Sequence, residues 1–254
     1  MGSQPTPPPL RLLIIEADNP TAASLSTGYG KVFTDLLAKA ATPTPLPSLL
    51  TIQTINVVHP STPSYPDPST VDAVLISGSK YNAFEDGDGD WIANLAEFTR
   101  RCLELERKVK VIGVCFGHQI IGRALGVPVT RSPNGWEISV TPMRLTPAGR
   151  KIFMGKETLR IHQMHRDVVS GLPAGAEGLA ESDRCSMQGF VIPGKALTVQ
   201  GHPEFSGRIT REIMDTRRAA GVWEQETYED GIRRVEEEHD GVEIARAFLR
   251  FLGE

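Results

Sequence analysis

Hydrophobic and polar positions follow two different rhythms along this chain, and the change of rhythm divides it. The first strong block, Leu10 to Ala17, is an almost continuous Leu/Ile run, the pattern of a strand buried on both faces. Thr27 to Ala40 has helical spacing, with Tyr29, Val32, Phe33, Leu36 and Leu37 on one face. Thr42 to Pro47 and Pro60 to Pro68 read as loops around a strand at Leu49 to Val58, because proline removes both ladder donors and helical options. Val71 to Ser77 is another buried strand, ending at a Gly-Ser turn. Asp90 to Arg107 reads as a helix capped by Asp90, Val109 to Val114 as a strand, and Gly117 to Leu125 as a helix stopped by Gly126. Strands alternating with helices predict a mostly parallel sheet with helices on both faces, an α/β fold.

From Val127 to Val199 the pattern shortens. Strand-like pieces at Glu137 to Leu145, Glu177 to Ser182, Gly189 to Ile192 and Ala196 to Val199 are separated by Gly and Pro turns, which predicts a small antiparallel extension. Helices are expected over Ser206 to Ala220, Glu224 to Glu238 and Val242 to Leu252. No repeat or linker interrupts the sequence, so a single domain over 1–254 is expected, with a flexible tail at 1–9 and C-terminal helices from 221 onward.

Composition narrows the picture by exclusion. A chain of 254 residues, 40% hydrophobic, can bury a core without staples. With 27 basic against 31 acidic residues it lacks the basic excess of a general nucleic-acid binder. No apolar run approaches the ~18 residues of a spanning helix, and MGSQPTPPPL has no secretory apolar core, so no membrane partner is expected. Gly2 with Thr6 fits the pattern for N-terminal acylation, but Pro5 and Pro7 to Pro9 favour a plain tail. Three cysteines, Cys102, Cys115 and Cys185, are too few and odd for a disulfide framework and point to a reducing, cytoplasmic setting.

One of the three differs from the others. In Val111-Ile112-Gly113-Val114-Cys115-Phe116-Gly117-His118-Gln119 an apolar strand runs into Gly-x-Cys-x-Gly and then a helix. That is the strand–turn–helix of a nucleophile elbow, with glycines where backbones must approach. The turn puts the sulfur at the carboxyl end of the sheet and at a helix N-terminus, where thiolate is favoured over thiol. Cys102 lies inside a helix and Cys185 lacks flanking glycines, so both are assigned to structure.

A thiolate attacking an amide needs a proton donor for the leaving amine. Val199-Gln200-Gly201-His202-Pro203-Glu204 supplies one. Proline restricts His202 to extended geometry, and residues i and i+2 then point the same way, so Glu204 can hold the imidazole by its second nitrogen. His118, three residues after Cys115, is constrained by their shared helix; His162 and His165 do not make a usual zinc set with one cysteine, so no metal is expected. Asp86, Asp88, Asp90 and Glu97 fall at EF-hand spacings, but Trp91 stands where such a loop needs glycine, and the stretch from Glu85 reads as a polar loop.

Together these residues resemble the class I, triad-type glutamine amidotransferases from about Leu10 to Phe205. Ile76-Ser77-Gly78-Ser79 is similar to the family's oxyanion strand, Cys115 with its flanks to its nucleophile elbow, Met164-His165-Arg166-Asp167-Val168-Val169 to its substrate-side segment, and Gly201-His202-Pro203-Glu204 to the end of its triad. Gly28 to Phe33, Ser77 to Ser79 with Asn82 to Phe84, and Trp91 bring it nearest to stand-alone members of the γ-glutamyl peptidase type. The family's oxyanion turn usually carries proline where this chain has Lys80.

The resemblance implies a flavodoxin-like α/β architecture and a cysteine-dependent amidase acting on glutamine or γ-glutamyl peptides through a γ-glutamyl thioester, with no cofactor. Cys115, His202 and Glu204 would be catalytic, the Ser79 and Phe116 N–H groups would receive the oxyanion, and Gly78, Gln119, Met164, His165, Arg166 and Asp167 would hold substrate. Two alternatives stay open: a glutaminase or silent binding subunit serving a separate synthetase, and a redox or hydrolytic elbow protein that would not need His202-Pro203-Glu204. Apolar positions Val242, Ala245, Phe248, Leu249 and Leu252 could face such a synthetase or pack in the core. No Walker-type glycine loop occurs, so freed ammonia is expected to pass to a separate partner or to solvent.

Overall fold

A computed structural model describes residues 7–58, 65–85, 91–106 and 109–254. The acylation pattern at Gly2, the acidic positions Asp86, Asp88 and Asp90 with the Asp90 cap, and Arg107 lie outside the described residues. In chain order the elements are β1 (Leu10–Glu16), α1 (Tyr29–Ala41), β2 (Leu50–Asn56), β3 (Ala73–Ile76), α2 (Trp91–Glu104), β4 (Lys110–Val114), α3 (Phe116–Ala124), β5 (Val129–Arg131), β6 (Glu137–Leu145), α4 (Pro147–Ile152) and β7 (Thr158–His165). They continue as β8 (Asp167–Val169), β9 (Glu177–Gly178), β10 (Ala180–Glu181), β11 (Phe190–Ile192), β12 (Ala196–Val199), α5 (Gly207–Ala219), α6 (Gln225–Arg234) and α7 (Gly241–Gly253).

The central sheet runs β2-β1-β3-β4-β12-β11-β9. Strands β2, β1, β3, β4 and β12 pair parallel, and β11 and β9 extend the sheet antiparallel. The continuous apolar runs have the burial their sequence demands. On β1, Leu12 and Ile14 face a core shared with Phe33 of α1 and Phe248 of α7, while Leu13 and Ile15 face a second core with Leu95 of α2 and Ile120 of α3. Helices therefore cover both faces, as a parallel sheet requires. The apolar positions of α7 belong to this interior: Ala245, Phe248 and Leu252 are buried, and Val242 and Leu249 pack against the same core.

The antiparallel extension is two small sheets, β10-β6-β7 and β5-β8. It departs from the sequence reading in several places: β5 and β8 add strands beyond the expected ones, and Gly189 to Ile192 and Ala196 to Val199, expected in the extension, join the central sheet, where β12 pairs parallel with β4. Glu177 to Ser182 is split at Leu179, since β9 pairs with β11 in the central sheet while β10 pairs with β6. Strand β7 carries no alternating pattern, because its last five residues, Ile161 to His165, are all buried. Its bridge from His162 to His202 lashes the extension to the turn after β12.

Candidate active site

Carboxyl ends of β4 and β12 lie side by side, with Val114 opposite Val199. Each strand delivers one residue of the expected triad. Cys115 follows β4 as the cap of α3, at φ 53° and ψ −105°, a region that non-glycine residues enter rarely and at a cost of about 1–3 kcal/mol. The strain is maintained by close packing. A Cβ at Gly117 would sit 2.2 Å from the Ile76 carbonyl oxygen, so only glycine lets α3 dock this tightly on β3. The Cys115 N–H donates to the Val199 carbonyl (2.9 Å), which ties the elbow to β12.

His202 follows β12. Its backbone N–H donates to the His162 carbonyl (2.7 Å), and its ring stacks on Phe205 at 3.9 Å between centroids. Nδ1 is paired with Glu204 Oε1 at 2.8 Å, and both side chains are buried. The second ring nitrogen is left for Cys115. Burial opposes a charged imidazole here, but Glu204, bonded to the ring, and the nearby Cys115 outweigh it and raise the His202 pKa to about 10. Gly78 closes the remaining side: a Cβ there would lie 2.5 Å from His202 Cε1.

The other cysteines behave as structural groups. Burial pushes the Cys102 and Cys185 thiols up to about 12. His118 is bonded through Nδ1 to Thr198 Oγ1 (2.8 Å), and burial, then His165, lowers its pKa to about 3, so it is neutral and occupied. Glu97, the far end of the EF-hand spacing, pairs with Arg100 on its own helix.

Two adjoining cavities open at this end of the sheet. The larger, about 310 Å³, is lined by Cys115, Gln119, Met164, His165, Arg166 and Asp167, among others. The smaller, about 150 Å³, is lined by His202, Tyr29, Asp18 and Phe205, among others. Ser79, Lys80, Met164 and Arg217 belong to both walls. The structure thus gathers the residues singled out by sequence, but several are held by the scaffold. Gln119 Nε2 donates to the Asp167 carbonyl (3.0 Å) and Gln200 Oε1 (3.2 Å). The Asp167 carboxylate accepts from Arg131 Nε (3.1 Å), and His165 Nε2 is paired with Glu137 Oε2 (3.0 Å). Arg166 is exposed.

Donor atoms of Glu137, His165 and Cys185 lie within 4.8 Å of one another, a spacing that could hold a metal ion. The Glu137 carboxylate is already engaged by His165 and by Gln188 Nε2 (2.7 Å), so the cluster is a satisfied hydrogen-bond network.

Ser79 sits in a turn fixed without proline. The Lys80 N–H donates to Asp18 Oδ2 (3.1 Å), its ammonium lies 3.5 Å from Asp18 Oδ1, and the Tyr81 N–H donates to Ser79 Oγ (3.1 Å). Among the described residues the N–H groups of Ser79 and Phe116 donate to no acceptor. Phe116 opens α3, where helical N–H groups have no carbonyl to pair with.

The family model for class-I glutamine amidotransferases matches residues 48–216, more than half the chain. The chain belongs to the class-I glutamine amidotransferases. Among relatives in this family, a glutamine amidotransferase-like protein of Schizosaccharomyces pombe is 37% identical over 190 residues, 75% of each chain. Gamma-glutamyl peptidase 3 of Arabidopsis thaliana is 35% identical over 177 residues, 67% of this chain and 69% of the relative. The crystal structure of a glutamine amidotransferase from Thermotoga maritima superposes with a TM-score of 0.75 at 19% identity, covering 96% of this chain and 99% of that one, so its likeness is one of fold. Among the described residues no helix is long and apolar enough to cross a membrane.

Asp18, Arg131, Trp136 and Arg217 also line the cavities and escaped the sequence reading, and Tyr29 and Lys80, noted there only for the resemblance and the helix face, line them too. Asp18 alone carried a usable signal, two residues past the end of β1 at the ligand-binding edge of an α/β sheet.

Proposed function

We propose that this amidotransferase-family chain is a thiol amidase that hydrolyses the γ-glutamyl amide of glutamine or of γ-glutamyl peptides. The observation that carries the reading is the pairing of a strained Cys115 with a His202 already held by Glu204, on neighbouring strand ends.

The Cys115 thiolate attacks the amide carbon; a C–S bond forms as the carbonyl π pair moves onto oxygen. The N–H groups of Ser79 and Phe116 receive that oxyanion, each donor typically contributing ~3 kcal/mol. As the pair returns, the C–N bond breaks and His202 gives its proton to the departing nitrogen. The neutral imidazole then takes a proton from water as water attacks the γ-glutamyl thioester, the C–S bond breaks, and glutamate leaves with thiolate and imidazolium restored. Glu204 fixes the imidazole tautomer and offsets its charge. Gln119, Met164, His165, Arg166 and Asp167, which line the larger cavity, would face the glutamyl group, with Gly78 beside the His202 ring.

The apolar face of α7, which a synthetase partner could have used, is spent on the core, and this favours an enzyme acting alone. The test is glutamate release by the purified chain from glutamine and γ-glutamyl dipeptides. Cys115→Ala should lower turnover by about 10⁴-fold or more. Turnover near that of the wild type would sink the assignment.

A further inference from the structure

The two cavities are not equivalent, and the chemistry itself tells them apart. In a thiol amidase the acyl group stays on sulfur while the amine leaves on the side of the proton donor. Cys115 lines the larger cavity and His202 the smaller one. The smaller cavity is walled by Ala22, Leu25, Tyr29, Phe205 and Ile213, an apolar surface that departing ammonia would not require.

At the junction of the two lies Arg217. Its Nη1 is buried without a hydrogen-bond partner, and its guanidinium lies over Trp136 and Trp223, 5.1 and 5.8 Å from the ring centroids. Of the other cations lining the two cavities, Lys80 is paired with Asp18 and Arg131 with Asp167, while Arg166 is exposed and lines only the larger one. Among the described residues Arg217 makes no ion pair. A guanidinium held by its faces against indoles presents its N–H edge, and that edge matches a carboxylate with two parallel hydrogen bonds. Burial pulls the Arg217 pKa below its ordinary value, with Cys115, Tyr29 and Asp18 opposing; a bound carboxylate would offset that burial cost.

We propose that the smaller cavity seats the departing amine and that Arg217 reads a carboxylate carried by that amine, so that the preferred leaving group is an amino acid or peptide with a free carboxyl end. The proposal rests on the amidase reading above. Arg217 is then a specificity residue, acting on which amine is accepted and leaving the acyl chemistry to the triad.

The experiment compares γ-glutamyl-leucine, γ-glutamyl-leucinamide and glutamine. The wild type should favour the free acid over the amide in kcat/KM by about tenfold or more. Arg217→Met should bring the two within about threefold, chiefly by raising KM for the acid, and Arg217→Lys should keep part of the preference. Thermal melts establish that each variant is folded. Equal losses on all three substrates would instead place Arg217 on the glutamyl carboxylate or in the scaffold and overturn the proposal. Cys115-dependent turnover of glutamine alone would overturn it while leaving the amidase reading intact, whereas turnover surviving Cys115→Ala would remove the amidase reading first. Calorimetry on the Cys115→Ala chain gives a readout free of turnover. Tighter binding of the acid than of the amide, abolished by Arg217→Met, supports the proposal; equal binding of both overturns it.

Discussion

This molecule contains two buried histidine–glutamate pairs that look alike in isolation. His202 meets Glu204 at 2.8 Å, and His165 meets Glu137 at 3.0 Å, all four side chains almost fully enclosed. The difference lies on the second ring nitrogen. His202 commits it to no scaffold group and has Cys115 within electrostatic reach, whereas His165 Nδ1 lies 3.3 Å from the Asp167 carbonyl oxygen. Glu204 Oε2 is left without a partner, while the same carboxyl oxygen of Glu137 is shared between His165 and Gln188. One pair is open toward Cys115; the other is closed upon itself and joins β6 to β7. A carboxylate-held imidazole is therefore no mark of catalysis until the group on its far side is known.

The contrast can be broken at four points. The largest effect is expected for His202→Gln, which should cost about 10³-fold or more in kcat with the fold retained; a loss under tenfold would erase the distinction between the pairs. Next comes Gly78→Ala. Its methyl would press on the edge of the His202 ring and displace it, so activity should fall by about tenfold to 10²-fold with little change in melting temperature. Steady-state assays beside calorimetry check this, and an unaltered rate would mean that the ring has room to spare.

Glu137→Gln addresses the closed pair. It weakens a buried network and should cost about 1–3 kcal/mol of stability, yet leave kcat within about threefold. A kcat collapse at full stability would make His165 more than scaffold. The smallest effect is a change of slope. Because the folded His202 pKa is raised to about 10 from an unfolded value near 6.5, its stabilising contribution is complete below about pH 6.5 and is lost as pH climbs toward 10. Melting temperature should therefore fall more steeply across that window in the wild type than in His202→Gln; parallel curves would contradict the assignment.

How much of this was legible beforehand differs by region. Strands β6 and β12 match the sequence reading to the residue, and α3 lies within one, because glycine, proline and alternating apolar positions bound them. The elbow and the Gly-His-Pro-Glu turn were legible because their chemistry is local in sequence. Strand β7 was not, since a run such as His162-Gln163-Met164-His165 is buried by hydrogen bonding: His162 to Thr210, Gln163 to Gln188. Arg217 was hidden among the arginines of a polar helix, and its meaning comes only from Trp136 and Trp223, which the fold brings to it. The division of the site into two cavities is likewise a tertiary fact, invisible to any spacing rule.

The ladder between β4 and β12 also sets an order of events. The chain is synthesised with Cys115 first and His202 much later, and the two meet only when a distant strand docks beside β4, Val199 against Val114. Until that long-range contact closes, Cys115 has no Val199 carbonyl to hold the elbow's amide and no imidazolium beside the sulfur. On the amidase reading, reactivity is thus conferred by the completion of folding. Trapping of Cys115 by a glutamine-derived electrophile, rather than bulk alkylation that also reaches Cys102 and Cys185 in an opened chain, would on that reading report how much of the protein has finished the sheet.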